Sequence, residues 1–308
     1  MHATKKQEGL AVLAMLVVTL VWGGGFVVTK GALDENMGTA AMLLGRFVVG
    51  AAAIGLLFGK TIRAQYRPGQ WKSGLALGTV LFFGFYAQTF GLNFTTPANS
   101  AFLTGAYVVV IPLLWWAISK KRPPAVVFVA CLLSFGGIAL LSFNPAAGVG
   151  LGDALTLLCA VLYAGHIVLT GILARTVHHV VLVFLQFVAC AGWSLLAFLV
   201  VERDVSAFAS LPALGALAYL GLLSTCLCFL LQTLAQKYLS SAKTGIVMGL
   251  EGFFGSLFGV VFGYDVLSGR MVAGGALMLA AIVLPDAWQL LRPRLQQAPR
   301  GGAAPRGG

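Results

Sequence analysis

Three ionisable side chains, Arg46, His166 and Glu251, lie well inside long apolar runs. A charge at the centre of a bilayer costs about 2.5–3.5 kcal/mol on insertion scales, so residues of this kind mark a polar interior or a pathway. Glu251 is the one carboxylate deep in such a run. Three kinds of chemistry are open to it: holding a cationic group of a solute, taking up a proton, or pairing with Arg46 or His166. His166 either titrates near neutral pH or serves as a structural hydrogen-bond donor to a carbonyl. Trp22, Tyr86, Tyr107 and Tyr163 bring an apolar body and a polar handle to the same depth, suited either to planar solutes or to helix packing. Gln88 and Gln232 are amides that need partners, and a polar lumen would supply them. These nine are the candidate cavity residues. Lys30 stands near the end of its run, where snorkelling to the interface explains it as well as function does.

The elements that must position these residues are membrane spans. Hydrophobic residues make up 59% of the 308 residues and charged residues 9%, with a mean hydropathy of +0.93. Soluble domains carry roughly 25% charged residues, so lipid must solvate much of this chain. Runs of about 20 apolar residues fall at 9–32, 39–59, 73–93, 99–119, 125–143, 152–173, 180–201, 213–235, 243–263 and 271–291. The expected fold is therefore an all-α membrane protein of ten transmembrane helices. Pro68-Gly69, Pro123-Pro124 and Asn144-Pro145 punctuate the connections. The tail 292–308, rich in Gly, Pro and Arg, reads as a disordered cytoplasmic extension.

The net charge of +11 is a topology signal, because the basic residues sit in short loops and tails and form no stripe for nucleic acid. With the N-terminus inside, all but four of the 20 Lys and Arg are cytoplasmic; Lys30, Arg203 and Arg270 lie outside and Arg46 lies in the membrane. Asp34, Glu35, Glu202, Asp204 and Asp265 fall in the outer loops. Both termini are thus expected in the cytoplasm. The run after Lys5 and Lys6 is too long for a signal-peptide core and reads as the first span. Cys131, Cys159, Cys190, Cys226 and Cys228 all lie in apolar runs with no ligand spacing, which suits small hydrophobes better than disulfides or a metal site. Gly55-Leu56-Leu57-Phe58-Gly59-Lys60-Thr61 looks like a phosphate loop, but it has three residues between its glycines where that loop has four, and it sits at a span end. No cofactor or metal is expected, and ATP chemistry is not.

The chain repeats itself. A slide of 144 residues lays Phe85 to Thr89 on Phe229 to Thr233, with Gln88 on Gln232 and Tyr107 on Glu251. A slide of 140 lays Arg46 on Gln186, and one of 142 lays Gly23 on Gly165. The halves are 9–145 and 152–291, each with five spans. Five is odd, so the second copy must enter the membrane from the opposite side, the inverted repeat of many secondary transporters. Lys121 on the inside matches Asp265 on the outside, as that inversion requires. Gly245, Gly249, Gly255, Gly259 and Gly263 form a stripe of small residues along the ninth span, suited to close helix contact and to sliding.

The order of several short motifs resembles the drug/metabolite transporter superfamily, and within it the ten-helix EamA-like exporters. They are Trp22-Gly23-Gly24-Gly25-Phe26 through Lys30, Gly45-Arg46-Phe47, Gln88-Thr89-Phe90-Gly91-Leu92, Ala101-Phe102-Leu103-Thr104-Gly105 leading to Pro112, Gly152-Asp153-Ala154-Leu155, Gln232-Thr233-Leu234-Ala235-Gln236-Lys237 and Glu251-Gly252. The resemblance spans nearly the whole chain. It implies two five-helix repeats around a central cavity and export of small metabolites, amino acids or drug-like compounds, across the inner or plasma membrane. It implies no enzyme activity. Gly252 stands where the family often has Pro, and Lys121 and Asp265 where many members have Glu. Two readings stay beside export: uptake or exchange by a carrier of the same superfamily, and a membrane enzyme acting on lipid. The second would need acidic or His clusters at the interface. The expected partners are a small-molecule substrate and membrane lipid, and not nucleic acid. The oligomeric state is open.

Overall fold

The computed structural model describes residues 4–95, 97–142, 150–205, 208, 210–261 and 267–297. These are helical throughout, with no strand among them. The helices are α1 Lys5–Asp34, α2 Thr39–Gln65, α3 Gln70–Gly91, α4 Pro97–Thr104, α5 Tyr107–Ser119, α6 Ala125–Ser142, α7 Leu151–Leu173, α8 His179–Glu202, α9 Leu211–Ala235, α10 Ser241–Met248, α11 Leu250–Val261 and α12 Gly269–Gln297. Seven of them, α1, α2, α3, α7, α8, α9 and α12, are long and apolar enough to cross a membrane, and α5 and α6 are shorter apolar helices. Their outer faces carry large exposed apolar side chains such as Leu56, Leu57 and Val200. Such a surface suits lipid and not water. The chain is a multi-pass membrane protein.

Two expected spans are broken. The fourth is α4 and α5, separated at Gly105-Ala106, where the hydrogen bonds tighten to three-residue spacing. Pro112 lies one to two turns on and cannot donate to Val108. The ninth is α10 and α11, separated at Gly249, whose added Cβ would meet Ser134 Oγ at 2.8 Å. These breaks fall at repeat mates, Gly105 and Gly249. The glycine stripe does not form one sliding face. Gly245 meets Ile111 of α5, Gly249 meets α6 and Gly255 meets Gly23 of α1. Asp265 and Gly263 lie outside the described residues, as does the chain beyond Gln297. Helix α12 itself runs past Arg292 into the expected tail. The sequence 55–61 lies within α2, which kinks there at Phe58 (φ −123°, ψ 17°) but stays helical on both sides and forms no phosphate loop.

Contacts between helix ends fix the packing. Glu202, ending α8, accepts from the N–H groups of Ala40 (2.8 Å) and Ala41 (2.9 Å) and so caps α2. Gly38 leaves room for that carboxylate. At the end of α3, Thr95 donates to Asp153 in the first turn of α7 at 2.9 Å. At the opposite end, Lys243 of α10 pairs with Asp286 of α12 at 2.6 Å. There too Lys237, just past α9, lies 3.1 Å from Nδ1 of His179, which starts α8. An ammonium only donates, so that imidazole nitrogen accepts. Burial, and then the Lys237 charge, holds the adjacent His178 below its ordinary pKa.

Backbones touch where glycines permit. A Cβ on Gly23 would lie 2.8 Å from Gly255 N and 2.9 Å from Glu251 O. Gly23→Ala should therefore force α1 off α11 and destabilise the protein by about 1–3 kcal/mol. A lower melting temperature in detergent, measured beside Gly9→Ala, where nothing lies within 4 Å, checks this. Equal melting of the two variants would refute it.

Candidate functional site

A cavity lies among α1, α2, α3, α5, α7, α9, α10 and α11. It is narrow, with room for water centres of about 60 Å³, space for a handful of waters. It extends from mid-helix toward the ends that carry Asp34, Leu92 and Leu211. Trp22, Arg46, Gln88, Tyr107, Tyr163, His166, Gln232 and Glu251 all line it. Tyr86 does not. It points about 100° round the helix from Phe85, packs at a tilt on Phe82 and stacks on Phe90. Phe85, one turn from Gln88, is the wall residue in its place.

The polar side chains are held by specific partners. In α9, residues Tyr219–Leu227 form a π-helical stretch, and π segments often occur at functional sites. Ser224 O accepts from Trp22 Nε1 at 2.7 Å. Ser224 Oγ accepts from Arg46 Nη2 at 3.2 Å, and Thr225 Oγ1 from Arg46 Nε at 3.0 Å. The guanidinium lies over Phe85, 4.2 Å from its centroid, a cation–π contact. The Tyr107 hydroxyl donates to Glu251 Oε1 at 3.1 Å. Among the described residues, neither ion pair, Lys30–Asp34 nor Lys243–Asp286, involves Arg46 or Glu251. Glu251 thus meets its own repeat mate, and neither Arg46 nor His166 is its bonded partner. His166 Nε2 lies 3.0 Å from Gln186 Oε1, a side-chain amide. Gln88 is doubly engaged: it donates to Thr104 Oγ1 (3.0 Å) and accepts from Tyr163 (3.1 Å). Phe229 packs against Trp22, Phe85, Phe187 and His166.

The cavity thus presents a guanidinium, a carboxyl group and an aromatic wall, and it is built from both repeats. The sequence model of the EamA-like transporter family matches the chain twice, at residues 9–143 and 150–284. The chain belongs to the EamA-like transporter family. Among its relatives, an uncharacterized transporter of Archaeoglobus fulgidus is 28% identical over 282 residues, covering 88% of this chain and 84% of the relative. Another uncharacterized transporter, YwfM of Bacillus subtilis, is 23% identical over 284 residues, covering 89% and 93%. A solved structure titled "Crystal structure of protein" has the same fold, with a TM-score of 0.75 at 21% identity over 94% of this chain and 99% of the other. Family and relatives point to a transporter rather than an enzyme. The EamA match runs through every helix that lines the cavity.

Ser224, Phe85 and Phe229 were missed by the sequence reading. Phe85 and Phe229 are repeat mates three residues before the two glutamines, a signal the slide of 144 contained. Ser224 is aimed at Arg46 by the π-helical turn, which leaves no mark in hydrophobic periodicity.

Proposed function

We propose that this EamA-family chain is a secondary transporter that exports small organic metabolites across the inner or plasma membrane by alternating access. Its ten spans form two inverted five-helix repeats, with both termini in the cytoplasm. The observation that carries the reading is one cavity with Arg46 on one repeat and Glu251 on the other, neither in an ion pair among the described residues. Drug-like amines fit Glu251 alone. A zwitterion matches both groups, so α-amino acids with apolar side chains are the foremost solutes, admitted once the narrow cavity widens in the alternating-access cycle. The ammonium group binds Glu251, the carboxylate takes the remaining Arg46 donors, and the side chain lies along Trp22, Phe85 and Phe229.

The helix ends support the inverted arrangement. Helices α1, α2 and α3 alternate in direction through short turns, so α1 and α3 run in parallel. The end of α3 meets the start of α7, which makes α7 antiparallel to its repeat mate α1. The breaks in the fourth and ninth spans also suit the discontinuous helices of carriers. With the termini inside, the cavity reaches toward the outer face, where an exporter releases its load.

Reporter fusions at Gln65, Lys121, Lys237 and the C-terminus should read as cytoplasmic, and those at Glu35, Asp204 and Asp265 as external. An external C-terminus would end the inverted arrangement. The functional test is counterflow in proteoliposomes with a panel of labelled amino acids and amphiphilic amines. Saturable, mutually competing flux is expected. Net flux in vesicles of known sidedness then separates export from uptake. A panel without carrier-dependent flux would refute the reading.

A further inference from the structure

Gln88 and Gln232 are repeat mates, yet their amides are spent differently. Gln88 has both ends engaged by Thr104 and Tyr163. The positions that match those two partners under the slides of 144 and 142 are Met248 and Val21, which have no hydrogen-bonding hydroxyl. Gln232 is 1% exposed, lines the cavity, and its Oε1 has no hydrogen-bond partner among the described residues.

A short relay fixes which end of Gln232 is free. Ile167 O can only accept, so the Gln236 atom 2.7 Å from it must be Nε2. Gln236 therefore offers Oε1 to Gln232, at 3.3 Å, and Gln232 must answer with Nε2. Its carbonyl oxygen is left without a donor among the described residues, on a residue that lines the cavity. Turning the Gln232 amide over would set two carbonyl oxygens against each other. A buried acceptor without a donor costs about 1–3 kcal/mol, a cost that a ligand's N–H removes.

We propose that Gln232 Oε1 accepts an N–H from the transported solute, sharing its ammonium group with Glu251, and that Gln236 is the positioning residue that aims it. This rests on the reading of the cavity as a zwitterion site. Gln232 then sets selectivity by the number of donors on the solute nitrogen. A primary ammonium satisfies both acceptors. A dimethylated one, with a single N–H, satisfies one.

The test is counterflow of labelled L-phenylalanine and of N,N-dimethyl-L-phenylalanine in proteoliposomes. Gln232→Leu should raise KM for phenylalanine about tenfold, the weight of one charge-assisted hydrogen bond. It should leave KM for the dimethyl compound unchanged. Gln232→Met, which matches the side chain in length and has no amide oxygen, should lose the preference for the primary ammonium in the same way, which covers the case in which the leucine variant folds poorly. A preference kept in folded Gln232→Met would overturn the proposal. Gln236→Leu should raise KM for phenylalanine part of the way, with maximal flux unaltered, because the Gln232 amide is then free to turn. An undiminished preference in folded Gln232→Leu would overturn this proposal alone. No carrier-dependent phenylalanine flux in the wild type would overturn the zwitterion reading, and this proposal with it.

Discussion

Glu251→Gln is expected to lower flux at least about a hundredfold, the usual consequence of removing one partner of a desolvated charge pair. The substitution is a narrow one. Glutamine has nearly the same shape and keeps an oxygen for the Tyr107 hydroxyl, so the 3.1 Å bond between α5 and α11 can persist. What disappears is the negative charge and the ability to exchange a proton. Glu251 is also the only carboxylate on the cavity wall among the described residues, so no neighbour can substitute. Flux should be measured between about pH 5.5 and 8, with protein level and melting temperature checked alongside. Normal flux throughout would remove Glu251 from both solute binding and proton coupling. Loss at every pH assigns it to the solute. Retained flux with an altered pH profile assigns it to the proton.

Much of this site was legible because lipid makes polar residues expensive. Arg46, His166, Gln88, Gln232 and Glu251 stood out against apolar neighbours, and a bilayer gives such residues little choice but to face inward. Aromatic residues carry no such cost. Tyr86 and Phe85 are adjacent and equally at home in a packed interior, so only the helical phase separated the wall residue from the packing residue. Local departures from regular helix were hidden as well. No proline follows Glu251, and the break before it falls at Gly249, where a Cβ would lie 2.8 Å from Ser134 Oγ. The pairings were beyond reach for a third reason. Which partner a buried amide takes depends on contacts far apart in sequence, such as Gln236 with Ile167. Symmetry in the sequence suggested that Gln88 and Gln232 would act alike. Their neighbours broke it.

The Tyr107–Glu251 contact leads to a second large effect. These positions are 144 residues apart, the slide that aligns the two halves in sequence, and their side chains touch. In the inverted arrangement proposed above, a residue can touch its own repeat mate only close to the pseudo-twofold axis. There the two positions see nearly equivalent backbones, each in the first turn after a helix break. Exchanging the two residues should then preserve the bond. Tyr107→Glu alone sets two carboxyl groups against each other at hydrogen-bond distance, and Glu251→Tyr alone removes the charge. Each should lose at least about a hundredfold in flux, by like-charge repulsion in the first case and loss of the solute partner in the second. The double exchange should recover flux to within about tenfold of the wild type, a coupling of several kcal/mol between the sites. Recovery is expected to be partial because Gln232, Arg46 and Phe229 do not exchange with the pair and keep the cavity asymmetric. A folded double variant as inactive as either single one would mean that the axis does not pass between these residues, or that Glu251 acts through contacts only α11 provides. Measuring all four proteins in one flux series, with L-phenylalanine as solute, decides between these outcomes.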